Sequence, residues 1–291
     1  MQDKQTRIVV KKNRYEAQQL YQRLKPVIND TLLFVMEESL RVQAIASSPE
    51  DKQEQLYVLT QLVKEDKPRI IICNTAAFFR YLPDKELFRN LCFKFEVDQE
   101  ITMTELKQKL NRAGYTKVNY VDRPCTYASR GGIVDVYCLE YDHPIRIEFF
   151  DTVIESIRIF HEETQRTIET IDSVLINPAT DLLFTDDQIE FLQKEIDSEL
   201  EKQHEKLIQD DYDFLLDYIE KDKIALENYD IDPHLYIYFS YLKANQFMDY
   251  VQGHIIFSSQ EEVENGYKKL NEETISFIQE MVESHQYLPK F

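Results

Sequence analysis

Apolar residues along this chain follow two spacings in turn, and the changes between them mark out its elements. RIVV (7–10), TLLFV (31–35) and RIIICN (69–74) are short, nearly continuous apolar runs, as expected of strands buried on both faces of a parallel sheet. Between them the apolar positions recur at helical spacing. Tyr15, Ala17, Leu20, Tyr21 and Leu24 line RYEAQQLYQRL, with Asn13 placed to cap its start and Pro26 to end it. In SSPEDKQEQLYVLTQLVKED, Ser48 is the natural N-cap and Pro49 fits the first turn. Glu50 and Asp51 face the positive helix end, and Leu56, Leu59, Leu62 and Val63 form the stripe. Thr75 is placed to cap a short helix, AAFFRYL, that Pro83 stops. The order β-α-β-α-β-α predicts an open parallel sheet with covering helices.

Near residue 92 the character changes. CFKFEV reads as a strand, and TMTELKQKLNRAGY as a helix closed at Gly114. From Lys117 to Pro178 the runs KVNYV, GIVDVYCL, PIRIEFF, ESIRIF and VLINP predict strands, broken by turn-like RGG, EYDHP, FDTV and HEETQ. From Asp181 the spacing is helical through DDQIEFLQKEIDSELEKQHEKLIQ and DYDFLLDYIEK. One strand, HIIFSS (254–259), and a last helix, EEVENGYKKLNEETISFIQEMVESHQ, follow. A lone apolar strand needs a partner, so this one is expected to return to the first sheet. The expectation is therefore an α/β fold in three segments. Residues 1–91 form an α/β unit, 92–179 a mostly antiparallel α+β insert, and 180–291 an acidic, mostly helical segment that rejoins the first core.

Composition narrows the function classes. With 43% hydrophobic and 30% charged residues the chain is globular. No apolar run of about 18 residues occurs and the start, MQDKQTRIVVKK, is unlike a signal peptide, so the expected location is cytoplasmic. The four cysteines form no CxxC pair and the six histidines are scattered, so no metal is expected and buried reduced thiols are. Residues 181–291 hold 9 Lys and Arg against 26 Asp and Glu; a phosphate backbone is repelled there. The five glycines, Gly114, Gly131, Gly132, Gly253 and Gly266, match neither GxxxxGK[ST] nor GxGxxG. No nucleotide cofactor is expected. No histidine stands in a Ser, Cys or Asp set that reads as a triad, so the chain is not expected to be an enzyme.

The stretch from Tyr127 to Pro178 carries the sharpest pattern. In PIRIEFF, Ile145, Ile147 and Phe149 face one way and Arg146, Glu148 and Phe150 the other. Arg130 ends the preceding run beside Gly131 and Gly132, and Arg158 continues the outward set in ESIRIF. Arginine and phenylalanine on an exposed sheet face are the residue types that dominate interface energetics. The plainer alternative makes Arg146 and Glu148 a surface ion pair and turns Phe150 inward.

The run SRGGIVDVYCLEYDHPIRIEFFDTVIESIRIFHEETQRTIETIDSVLINPA resembles the second domain of bacterial transcription-repair coupling factors and, less closely, the matching domain of the excinuclease subunit UvrB. Its pattern is RGGI-[VI]-D-[VI]-[YF], P-x-R-[IL]-E-[LF]-F-D, [ED]-S-[IL]-R-x-F and D-x-x-[ST]-Q-R-[ST]. His161 and Cys138 depart from it. SSPE at 47–50 and RIIICNTAAFFRYLP extend the likeness, and the acidic last third is similar only in character. The resemblance implies a UvrB-like, degenerate helicase-like parallel-sheet domain with the insert, and a piece of a longer protein. It implies a non-catalytic docking segment that recruits UvrA for nucleotide excision repair at stalled RNA polymerase. Carried over by position, the recruiting residues are Arg130, Arg146 and Phe150, with Glu148 and Arg158 in support. The RNA polymerase and DNA contacts and the ATP-driven translocase are implied to lie in further domains. The C-terminal domain of the full-length protein is implied to cover the face at rest, leaving it open here. A monomer with no membrane contact is expected. The alternative reading is a nucleic-acid-binding module related to UvrB.

Overall fold

A computed structural model of the chain describes residues 5–38, 49–230 and 232–289. The predicted cap Ser48 lies outside the described residues, as does Ser47, the first residue of SSPE. The chain divides into two compact units. One comprises Met1–Lys85, Phe184–Glu227 and Ile231–Phe291, the other Glu86–Leu183 with Asn228–Asp230.

The first unit is built on a parallel four-stranded sheet. Its strands are β1 (Arg7–Lys11), β2 (Thr31–Phe34), β3 (Ile70–Asn74) and β14 (His254–Phe257), in the order β14-β1-β3-β2. Helix α1 (Arg14–Leu24) starts at Asn13, whose side chain accepts from the Glu16 N–H at 2.9 Å. Its Ala17, Leu20, Tyr21 and Leu24 pack on Val9, Leu33, Val35 and Ile72 of one sheet face. Strand period two sends Ile8, Val10, Leu32, Phe34 and Ile71 to the opposite face, where they are also buried. Phe34 stacks there on Phe247, at 5.1 Å between ring centres, in the short helix α8 (Phe247–Tyr250). Helix α2 (Pro49–Lys64) packs beside β2 and is tied to α1 by a bidentate Arg14–Asp51 pair. The lone strand of the last segment does return to the first sheet: β14 pairs with β1, Ile255 opposite Ile8. All four residues of β14 are exposed at the sheet's edge, Ile256 the most apolar-exposed at 44%.

Two local expectations are corrected in this unit. Asn74, not Thr75, caps the short helix α3 (Thr75–Phe79). The Asn74 carboxamide accepts from the Ala77 and Met36 N–H groups and donates to the Met36 carbonyl, while Thr75 Oγ1 turns to the carbonyls of Lys11 and Lys12. The helix also stops at Phe79, because Tyr81–Leu82 (β4) pairs antiparallel with Asn245–Gln246 (β13). The acidic segment supplies α6 (Asp186–His204), α7 (Gln209–Asn228), a 3-10 helix (Pro233–Tyr241) that the apolar pattern does not announce, and α9 (Gln260–Glu283). No helix among the described residues is long and apolar enough to cross a membrane.

The second unit holds a six-stranded sheet in the order β11-β10-β9-β8-β7-β6. The strands are β6 (Thr116–Lys117), β7 (Thr126–Arg130), β8 (Ile133–Tyr137), β9 (Ile145–Phe150), β10 (Val153–Phe160) and β11 (Thr167–Ile171). All neighbours run antiparallel except β6 and β7. A separate antiparallel pair joins β5 (Phe93–Glu96) to β12 (Ser173–Ile176). Lys85–Asn90 forms α4, and α5 (Met103–Arg112) has a capping box between Thr102 and Glu105. Gly114 follows at φ +82°, the left-handed conformation that closes a helix. The expected strand KVNYV is cut to its first residue, because Val118 and Val121 fold over the sheet onto Ala128 and Phe160. The thiols also differ from expectation in part: Cys73 and Cys138 are buried, and burial pushes both up, whereas Cys92 and Cys125 are only half-buried.

Candidate functional site: the outer face of the six-stranded sheet

Ile145, Ile147 and Phe149 of β9 are buried with Val134 and Val136 of β8 and Ile154 and Ile157 of β10. Together they form the inner face, and burying each such side chain contributes about 1.5–3 kcal/mol. Arg146, Glu148 and Phe150 therefore point outward, and antiparallel register assigns their neighbours. Asp135, Arg146 and Arg158 stand opposite one another on successive strands, as do Arg130, Ile133, Glu148 and Ser156 in the next row. Arg130 and Arg146 thus share a face. Arg130 closes β7 two strands from Glu148, about 10 Å at the usual strand spacing.

Phe150 ends β9 and is 74% exposed. It stays outward because the chain turns at once through Asp151, at φ +57°, into β10, which leaves no inner-face position for the ring. The inward-turned alternative is excluded. Its ring meets no other aromatic ring or cation among the described residues.

The three arginines differ in what holds them. Arg146 donates from Nε and Nη2 to the two Asp135 carboxylate oxygens at 2.7 and 2.8 Å, and from Nη2 to Gln165 Oε1 at 2.7 Å. Its guanidinium lies 4.3 Å from the centre of the Phe160 ring, which is itself buried. The hydrogen bonds it donates to Asp135 raise the Arg146 pKa above its ordinary value against the cost of partial burial, so the charge is fixed. Its Nη1 group donates to no described residue. Arg158 donates to Glu148, whose other oxygen accepts from Ser156 Oγ at 2.7 Å. The plainer reading had paired Arg146 with Glu148; the register instead joins Arg146 to Asp135 and Arg158 to Glu148. Arg130 is exposed, with no hydrogen bond or ion pair to a described residue.

The site so built offers an apolar ring in water, an unpaired guanidinium, and a second guanidinium held rigid with one donor edge open. Such a surface can seat an aromatic anchor in a partner's pocket and form charge-assisted bonds to acceptor oxygens. Glu148 and Arg158 pair with each other through Arg158 Nη2, which suits a supporting part. Sequence reasoning did not single out Asp135, Tyr120, Phe160 or Gln165 as members. Asp135 was within reach, since laying GIVDVY antiparallel to PIRIEFF puts it opposite Arg146. Among the described residues no group of three or more His, Cys, Asp or Glu could hold a metal ion.

Comparison with known proteins points the same way. Residues 93–182 match the family described as the UvrB interaction domain. Over 95% of its length the chain is 30% identical to the transcription-repair-coupling factor of Bacillus subtilis (strain 168), of which it covers 24%. It is 28% identical over 98% of its length to the Staphylococcus haemolyticus (strain JCSC1435) protein of the same description, covering 25% of it. The chain thus spans about a quarter of the length of these curated relatives. Residues 93–182 are thus similar to the UvrB interaction domain family, and nearly the whole chain is similar to part of these transcription-repair-coupling factors.

Proposed function

We propose that this chain is a non-catalytic docking segment that recruits UvrA, so that nucleotide excision repair starts where RNA polymerase has stalled. The single observation that carries this reading is the outer face, where exposed Phe150 and unpaired Arg130 stand on one side of the sheet with braced Arg146. Phe150 anchors by burial, and Arg130 and Arg146 supply charge-assisted bonds to carboxylates of the partner. Contacts to RNA polymerase and DNA, and ATP-driven translocation, are assigned to other parts of a longer protein, whose C-terminal domain covers the face at rest. The chain itself is a monomer in this reading. A nucleic-acid module is disfavoured by the acidic balance of the chain.

The test is co-elution and titration calorimetry with purified UvrA across Arg130→Ala, Arg146→Ala and Phe150→Ala. Phe150→Ala is expected to cost about 2–4 kcal/mol of binding, as truncated anchors do, with the thermal midpoint of the chain unchanged. Wild-type affinity in all three variants would end the docking assignment.

A further inference from the structure

Gln165 belongs to the TQRT run that the sequence pattern singles out, and the docking reading gives it no task. Its backbone sits at φ +59°, which a glutamine rarely adopts, in a tight turn closed by His161 N–H to Arg166 O at 2.9 Å and Gln165 N–H to His161 O at 2.8 Å. The turn aims its carboxamide across β10 at β9. Oε1 accepts from Arg146 Nη2, and Nε2 donates to the Glu162 carbonyl at 2.7 Å and to Tyr120 Oη at 3.2 Å. Tyr120 Oη donates in turn to the same Glu162 carbonyl. The amide oxygen and both amide hydrogens are thereby engaged, so the side chain has one orientation. Asp135 holds the Nε and Nη2 edge of Arg146, Phe160 lies against its face, and Gln165 takes the second Nη2 hydrogen. What remains is Nη1.

We propose that Gln165 is a positioning residue of the docking face: it fixes the Arg146 guanidinium so that Nη1 alone presents to a carboxylate oxygen of the partner. This rests on the docking reading above. A guanidinium already ordered loses little freedom on binding, so the gain appears as affinity.

The experiment is calorimetry with UvrA on the full chain carrying Gln165→Ala, alone and combined with Arg146→Ala or Phe150→Leu. Gln165→Ala is expected to weaken binding about tenfold, as loss of a hydrogen bond to a charged group does. In the Arg146→Ala background it should cost nothing further, and in the Phe150→Leu background its full factor should return. Nitrogen-15 NMR on the chain without partner should show slowed rotation about the Arg146 Cζ–Nη bonds, lost in Gln165→Ala. An equal loss with and without Arg146, or wild-type affinity in Gln165→Ala while Phe150→Leu weakens binding, overturns the role of Gln165 alone. Failure of the wild-type chain to bind UvrA overturns the docking reading and this role with it.

Discussion

Arg130, Arg146 and Arg158 share a face but not a state, and the difference lies in what each finds across the strand. Arg146 is the one whose partners matter for stability as well as recognition. Asp135→Asn would leave its half-buried charge with a neutral acceptor, and a loss of about 1–3 kcal/mol is expected in urea unfolding. A second charged cluster, away from this face, predicts a pH dependence. His234 is held between Asp232 and the buried Asp222, which also accepts from Tyr238 Oη at 2.7 Å. Burial works against its charge, but the bonds and attraction of Asp222 and then Asp232 outweigh it and raise the pKa from 6.5 to about 9. A raised pKa contributes stability fully below about pH 6.5, lost as pH rises through 9. The contribution is of the order of 2–3 kcal/mol. The difference in thermal midpoint between wild type and His234→Gln should therefore be large at pH 6 and small at pH 10. At this scale the outward set of β9 was legible, because a period of two needs only the residues themselves. The ion pairs needed the register between consecutive strands as well, and the pattern within one strand does not carry that.

Elements whose apolar residues repeat were readable, and those stabilised by other means were not. β9 and β10 alternate clearly, whereas β11 is almost wholly exposed and β7, TYASR, carries small and polar residues on its outer face. Neither offers a hydrophobic period, so neither was named among the predicted strand runs. The 3-10 helix over Pro233–Tyr241 buries Leu235, Ile237, Tyr238 and Phe239 from a nearly continuous apolar run, and no helical spacing betrays it. Caps were read well where one side chain had one backbone donor in reach, as at Asn13, and misread where Asn74 and Thr75 compete. The capping box of α5 was not remarked in the sequence, though T-x-x-E stands there. Thr102→Ala is expected to cost about 1 kcal/mol, read from the denaturant midpoint. Affinity for UvrA should not change, since Thr102 lies outside the docking face.

The parallel-sheet unit is assembled from distant segments, with β1 lying between β3 and a strand drawn from far down the chain. The return of that strand was legible because an apolar run with no neighbour of its own has to pair somewhere; its place beside β1 was not. Gly253 makes the junction possible: a Cβ there would stand 2.5 Å from the Thr6 carbonyl oxygen, which accepts from the His254 N–H. Gly253→Ala is expected to destabilise by about 1–3 kcal/mol. Gly266→Ala, inside α9 and with an ordinary 3.4 Å approach to Thr75, is expected to stabilise by up to about 1 kcal/mol. Thermal melts of the two variants should shift in opposite directions. The far side of β14 carries His, Ile, Ile and Phe without a lysine, a proline or a bulge to guard it. Concentrated solutions should therefore grow sticky through backbone ladders zipped between molecules, and a single ammonium group placed at position 256 should keep them clear.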